Sequence, residues 1–337
     1  MEITTIDRSN MRNVIIASAD QLKEGLALAQ NVKINGAFSN VVICGMGGSA
    51  LPARLIETLK ITTKVPIYVH SDYNLPWQAN KKSLVICISY SGNTEETVSA
   101  LKEAVKNNMK IVAIATGGDI ANISQERAIP LVKIPSGIQP RCATGYIFSA
   151  LAKALSNAGI VEDLSSEILN TSQQLKNMAL ALEKEGKQLA EKLHKKIPVI
   201  YASKKFAAIA QIWKIKCNEN SKVPAFWNYF PELNHNEMSG YSNIKNQISN
   251  IKNFYVVILK DSNDHPRILK RMDLLATMLQ EKGIATEFVA MQNGSLMFKI
   301  FSTLILGDWT SYYLALEYGI DPTPVAMVEE FKKMMRE

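Results

Sequence analysis

Two short runs in this sequence carry the residue types that hold an anion. Gly45-Met46-Gly47-Gly48-Ser49-Ala50 follows the apolar run Val41–Cys44 and opens a helix-compatible stretch. Its glycines fit the GxGxxG/A fingerprint, in which backbone approaches a pyrophosphate at a helix N-terminus, and they serve a single phosphate equally well. The second run, ISYSGNTEET from Ile88 to Thr97, sets Ser89, Ser91 and Thr94 around Gly92 and Asn93, again between a strand-like run and a helix. Hydroxyls and free backbone N–H groups gathered at a helix start make a compact anion site, which a dinucleotide does not require. The same residues also make an ordinary turn and N-cap. Asp72, near the end of the second apolar run, suits a ribose-binding acid and keeps a nicotinamide reading open. Two glycine- and hydroxyl-bearing turns in one sheet favour a phosphorylated small molecule.

Such turns need strands to leave from. Short β-rich runs at 40–44, 66–70, 84–89, 111–115 and 131–134 alternate with helix-compatible segments at 49–60, 94–107 and 119–127. Strands apolar on both faces that alternate with helices predict a doubly wound parallel sheet, whose ligands bind beyond the carboxyl ends of the strands. The spacing of Val14, Ile15, Leu22, Leu26 and Ala29 predicts a leading amphipathic helix over 14–32. From about 142 to 195 the pattern is helical with a break near Gly159. Alternation then returns, with strands at 198–203, 223–227, 254–260 and 285–290 and helices from about 205, over 265–282, over 296–318 and over 324–336. The expected organisation is an N-terminal helix plus first α/β unit over 1–155, a helical connector over 156–196, a second α/β unit over 197–322 and a C-terminal helix over 323–337. Two such units facing each other would place a cleft between their strand ends, although no repeat is visible at residue level.

Composition narrows the partners. The 337 residues are 47% hydrophobic and 20% charged, as in ordinary globular proteins, and suffice for two modest domains. The net charge of +7 raises the question of nucleic acid. The lysines are scattered, however, and clusters such as Lys192, Lys195 and Lys196 read as solvated helix faces. No nucleic-acid partner is expected, while a mild positive field favours anionic substrates. Cys44, Cys87, Cys142 and Cys217 show no CxxC spacing, which points to a reducing compartment without disulfides. With no signal-peptide core and no apolar run of membrane-spanning length, the expectation is a cytoplasmic protein without a membrane partner. The four histidines show neither HxH nor HExxH spacing, so no bound metal is indicated.

Together with CGMGGSA and SYSGNTEET, the runs PSGIQPRCATGY, IWKIKCNENSKVPAF, FPELNHNE and DPTPVAMVEEFKK resemble the bifunctional phosphoglucose/phosphomannose isomerase family of the sugar isomerase (SIS) fold, from about residue 10 to the C-terminus. The first two runs occur in SIS domains of several functions; all six in this order are far more specific. The resemblance implies two SIS-type doubly wound units with a catalytic cleft between them and a C-terminal helix packing towards it. It implies an aldose–ketose isomerase that interconverts glucose 6-phosphate and mannose 6-phosphate with fructose 6-phosphate through a cis-enediol, without metal or nicotinamide.

That chemistry opens a sugar ring and moves a proton between C2 and C1, so it needs a phosphate anchor, a carboxylate base, an acid–base group for the ring oxygen and a cation beside the enediolate. By the family's pattern Ser89, Ser91 and Thr94 anchor the phosphate, and Gly47, Gly48 and Ser49 line the adjacent floor. Glu219 is the base, Arg141 lies by the C1 and C2 oxygens, and His235 opens the ring from the neighbouring subunit of a homodimer. Lys332 assists ring opening, with Lys333 beside it and only helix facing to separate them, and Thr323 shapes the sugar pocket. Without the resemblance Glu219 reads as a helix-terminal carboxylate, His235 as a loop histidine, Arg141 as a surface arginine after a proline turn and Lys332 as a solvated terminal lysine. The rival readings are a non-catalytic sugar-phosphate-binding SIS protein, an isomerase of another sugar phosphate such as a glucosamine or heptose phosphate, and a nicotinamide dehydrogenase. The presence of both Glu219 and His235 favours catalysis.

Overall fold

Runs that are apolar on both faces form central strands in the computed structural model, which describes residues 3–59, 61–242 and 253–335. One unit, Ala17–Lys176, is built on five parallel strands. These are β1 (Asn40–Gly45), β2 (Ile67–His70), β3 (Ser83–Ser89), β4 (Lys110–Ala115) and β5 (Leu131–Lys133), in the order β2-β1-β3-β4-β5. Every residue of β1 and β3 is buried. Their register sets Cys44 beside Cys87 and Gly45 beside Ile88, so the two chains leave the sheet side by side. The strand order reverses between them, which is where the following loops diverge and a ligand crevice opens in such sheets. Helix Glu95–Lys106 after β3 buries Val98, Leu101 and Ala104 with Val42, Val85 and Cys87, an i, i+3, i+6 stripe that fixes where its N-terminus points.

The other unit joins Met1–Ile16 with Asn177–Glu337, the boundary falling inside helix Ser165–Leu193. Its four parallel strands are β6 (Ile197–Ser203), β7 (Phe226–Phe230), β8 (Phe254–Lys260) and β9 (Ala285–Ala290), in the order β7-β6-β8-β9. Tyr201, Phe230, Val256 and Ile258 form a core with Met272, Leu275 and Leu279 of helix Pro266–Glu281. Helix Leu296–Glu317 is buried along most of its length, so its charged residues need partners. Lys299 donates to the Asp261 carboxylate at 2.5 Å, Lys205 to the same carboxylate at 3.1 Å, and Asp308 receives Lys216. Burial pushes the Asp261 carboxyl up, but the two ammonium groups and the Asn263 N–H outweigh it and hold that carboxyl below its usual range.

Two elements differ from the sequence expectation. The single helix expected over 14–32 is two, Met11–Ile16 and Ser18–Ala29. The buried Asp7 carboxylate accepts from the N–H groups of Met11 (2.7 Å) and Arg12 (3.0 Å) and from the Tyr312 hydroxyl (3.1 Å), tying the first piece to helix Leu296–Glu317. The strand expected over 223–227 starts at Phe226, because the N–H of Val223 is spent on the Cys217 carbonyl and that of Ala225 on the Asn218 side chain. Residues 60 and 336, at the ends of the helices expected over 49–60 and 324–336, lie outside the described residues; those helices run Leu51–Thr58 and Ala326–Met334. Among the described residues no helix is long and apolar enough to cross a membrane.

Candidate functional site

In the unit Ala17–Lys176 three loops meet beyond β1 and β3. Ser89 ends β3 fully buried; its Oγ accepts from the Gly92 N–H at 3.0 Å and lies 2.8 Å from Thr94 Oγ1. Ser91 is exposed, with its Oγ accepting from the Asn93 N–H at 3.2 Å. Thr94 is extended (φ −70°, ψ 118°) immediately before helix Glu95–Lys106, whose first N–H groups have no partner within the helix. The next loop supports this one from behind: Asp119 N–H donates to Asn93 Oδ1 and Ile120 N–H to the Gly92 carbonyl, both at 3.0 Å. Hydroxyls and helix-start N–H groups thus converge on the place where such a fold receives an anion.

Gly47 and Gly48 form the short turn Gly47–Ser49 after β1. A Cβ on Gly48 would stand 3.1 Å from the Arg141 nitrogen and 3.2 Å from the Pro140 carbonyl, so the arginine loop lies directly on the glycine loop. Arg141 is 3% exposed, not the surface arginine that its local sequence suggests, and its Nη1 donates to Gln139 Oε1 at 3.2 Å. The structure therefore gathers Gly47, Gly48, Ser49, Ser89, Ser91, Thr94 and Arg141 in one unit.

Tyr90 is the residue that joins these loops, and sequence reading passed over it. Its N–H donates to Ser49 Oγ (3.1 Å), its carbonyl accepts from Thr116 (3.0 Å) and its hydroxyl accepts from the Ile138 N–H (3.1 Å). Burial pushes the phenol up, so it stays protonated. Tyr90→Phe leaves the Ile138 N–H without its acceptor, which costs about 1–2 kcal/mol. We expect the arginine loop to loosen and affinity for a phosphate-bearing ligand to fall about threefold to tenfold, measured by titration calorimetry.

In the other unit, Glu219 is the last residue of helix Ala207–Glu219 and is half-buried. The helix is fixed along Leu296–Glu317 by Trp213 Nε1 donating to the Thr303 carbonyl (2.9 Å), by Lys216 on Asp308 and by Asn220 Nδ2 on Ser311 Oγ (2.9 Å). Ser221 Oγ adds a bond to the Ser311 carbonyl at 2.7 Å. Thr323 follows the turn at Asp321, whose carboxylate accepts from its N–H at 2.9 Å. The Lys222 ammonium bonds backbone carbonyls of both segments, so Glu219 and the Thr323 turn are brought together.

His235 ends the turn Glu232–His235, exposed, while Leu233 is fully buried beneath it. The loop is braced on the far side by Glu237, whose carboxylate accepts from the Tyr201 hydroxyl and the Asn228 amide, and by Asn236 Nδ2 on Glu232 at 2.8 Å. Lys332 pairs with Glu329 at 3.0 Å on a helix without buried residues, both side chains more than half exposed. Neither its facing nor that of Lys333 distinguishes the two, since both are exposed. Asp72 is exposed and accepts from the N–H of Tyr73 at 2.7 Å, a local turn bond. Among the described residues no group of three or more His, Cys, Asp or Glu is placed to hold a metal ion.

Comparison with known proteins bears on the family and the fold. The family described as "Bacterial phospho-glucose isomerase C-terminal SIS domain" matches residues 182–335, and that described as "SIS domain" matches residues 58–130. The bifunctional phosphoglucose/phosphomannose isomerase of Caldicellulosiruptor bescii is 36% identical over 330 residues, covering 94% of this chain and 96% of that protein. The protein of the same name from Aquifex aeolicus is 34% identical over 304 residues, covering 89% and 91%. Among solved structures, a hypothetical protein from Thermus thermophilus shares the fold with a TM-score of 0.75 at 15% identity, over 96% of this chain and 90% of that one.

Proposed function

The chain belongs to the bifunctional phosphoglucose/phosphomannose isomerase family, and from that premise we infer that it interconverts glucose 6-phosphate and mannose 6-phosphate with fructose 6-phosphate. The observation that carries the reading is a buried arginine, Arg141, whose loop lies on the Gly47–Ser49 turn, which Ser49 Oγ in turn joins to the hydroxyl-lined loop after β3. One anion anchor and one fixed cation are what a phosphorylated substrate needs when a second negative charge develops elsewhere on it.

Ser89, Ser91 and Thr94 anchor the phosphate, and Gly47, Gly48 and Ser49 form the floor under the sugar. Glu219 takes the proton from C2 of the open-chain aldose; the C–H electron pair becomes the C1=C2 bond of a cis-enediol as the C1=O π pair moves onto O1, which takes up a proton. The same carboxyl returns its proton at C1 while O2 gives up its own and becomes the ketose carbonyl. Arg141 stabilises the oxygen charge at C1 and C2 without being consumed. Both aldoses share this enediol once the C2–C3 bond rotates, so one base serves both. His235 passes a proton to and from the ring oxygen, chemistry that suits an imidazole near neutral pH, with Lys332 assisting and Thr323 shaping the sugar pocket. No metal or nicotinamide enters these steps. The four buried free thiols support a cytoplasmic setting.

Turnover of each aldose phosphate to fructose 6-phosphate, assayed with EDTA present, tests the reading. Both activities are expected to persist at full rate. Binding of either sugar phosphate without turnover would replace the isomerase with the non-catalytic reading.

We place His235 in the partner subunit's site of a homodimer, a role its exposure on a braced loop supports. Mixing inactive Glu219→Gln and His235→Ala chains then restores about one quarter of wild-type activity, because half the dimers are mixed and each holds one intact site. No recovery after subunit exchange would put His235 in the same chain as its Glu219.

A further inference from the structure

Helix Ala207–Glu219 ends without a glycine, and the chain turns at Lys222 with φ +57°, a left-handed conformation that glycine adopts freely and a lysine adopts at a cost. The side chain shows what offsets that cost. The Lys222 ammonium donates towards four backbone carbonyls: Glu219 at 2.7 Å and Asn220 at 3.2 Å, at the helix end, and Asp321 at 3.1 Å and Pro322 at 3.0 Å, in the turn before Thr323. An ammonium has three hydrogens, so these acceptors take its whole capacity, and its charge sits at the negative end of the helix dipole. Lys222 and Asp321 are 99 positions apart in the chain. One cation therefore fixes the spacing between the end of the Glu219 helix and the Thr323 turn.

We propose that Lys222 is a positioning residue for isomerisation: its ammonium locks the backbone of Glu219 to the Asp321–Thr323 turn and so sets the reach of the base towards the sugar. The proposal rests on Glu219 being the base. A simple helix cap contributes stability alone, whereas a group that places a proton-transferring carboxylate acts on kcat, since a misplacement of about 1 Å costs up to about a hundredfold.

The variant that separates the two is Lys222→Gly, which relieves the left-handed backbone while removing the ammonium. We expect its melting temperature to stay within a few degrees of wild type, its kcat on glucose 6-phosphate to fall about tenfold to a hundredfold, and its KM to change less than about threefold, because the proposed phosphate anchor is untouched. Lys222→Cys supplies a rescue. Residue 222 is exposed, whereas Cys44, Cys87, Cys142 and Cys217 are buried, and burial pushes the Cys217 thiol up to about 12. Treating the folded variant with 2-bromoethylamine alkylates the introduced thiol and returns an ammonium on a side chain of lysine length; recovery of kcat to within about threefold of wild type is expected. Full kcat in Lys222→Gly, or no recovery on aminoethylation, overturns the proposal. Glu219→Gln assayed alongside separates the premises: its full activity overturns the reading of the base itself, while its inactivity beside a fully active Lys222→Gly overturns the role of Lys222 alone.

Discussion

Replacing Glu219 by Gln is expected to lower kcat by about 10² to 10⁴ on glucose 6-phosphate and mannose 6-phosphate alike, with KM within about threefold of wild type. Glutamine keeps the shape and hydrogen-bonding reach of the side chain but cannot take a proton from carbon. If, as proposed, one carboxylate makes the enediol from both epimers, the two activities fall together; loss of only one would require two bases. Exchange gives an independent readout. In D2O the wild type carries solvent deuterium into the product, and the variant does so at a rate reduced by the same factor.

The same substitution is expected to leave stability unchanged or to raise it by about 0.3–1 kcal/mol, read from thermal melts. Glu219 is the last residue of its helix, where the dipole is negative and a carboxylate is unfavourable. On the proposal that Glu219 is the base, keeping a carboxylate there costs stability, by an amount that the Lys222 ammonium at the same helix end reduces, for what the charge does. A variant that melts as high as wild type yet turns over neither sugar would separate those two contributions.

The two sheets were legible because fully buried parallel strands have no polar face: Val41–Cys44 and Leu84–Ile88 announce themselves by composition alone. The glycine and hydroxyl turns were legible for a related reason, since each sits at the end of such a run and needs residue types that few other positions tolerate. The residues that hold the site together were not. Tyr90 and Lys222 act through backbone atoms of distant segments, Tyr90 through the N–H of Ile138 and Lys222 through the carbonyls of Asp321 and Pro322. A backbone carbonyl looks the same in every residue, so no spacing rule exposes such a contact. Arg141 misleads locally because its burial comes from the glycine loop almost a hundred positions earlier, whose lack of a Cβ lets the arginine loop settle on it. The leading helix misleads because the buried Asp7 that caps it answers to Tyr312 at the other end of the chain.

Gly92→Ala is expected to be the most damaging single methyl in the loop after β3. Gly92 sits at φ +74°, and a Cβ there would lie 1.7 Å from the Gly117 carbonyl oxygen and 2.6 Å from its carbon. Relief by a shift is blocked on both sides. Gly92 N–H bonds Ser89 Oγ at 3.0 Å, its carbonyl takes the Ile120 N–H at 3.0 Å, and the opposing Gly118 is itself at φ +68°, where an added Cβ would meet Asn93 Oδ1 at 2.5 Å. The left-handed backbone alone costs an alanine about 1–2 kcal/mol, and the overlap carries the total to about 4 kcal/mol or more. Melting should fall by about 10 °C or more, with sugar-phosphate binding lost by calorimetry because Ser89 and Thr94 no longer face a helix start. Gly47→Ala is the contrasting case. Its φ is +48° but nothing lies within 4 Å of an added Cβ, so the backbone cost of about 1–2 kcal/mol stands alone and the melt moves by about 2–8 °C. If the sugar rests on that open floor, the methyl occupies its place and KM rises about tenfold or more. An unchanged KM in Gly47→Ala would remove Gly47 from the substrate floor while leaving the anion loop of Ser89 and Thr94 as it stands.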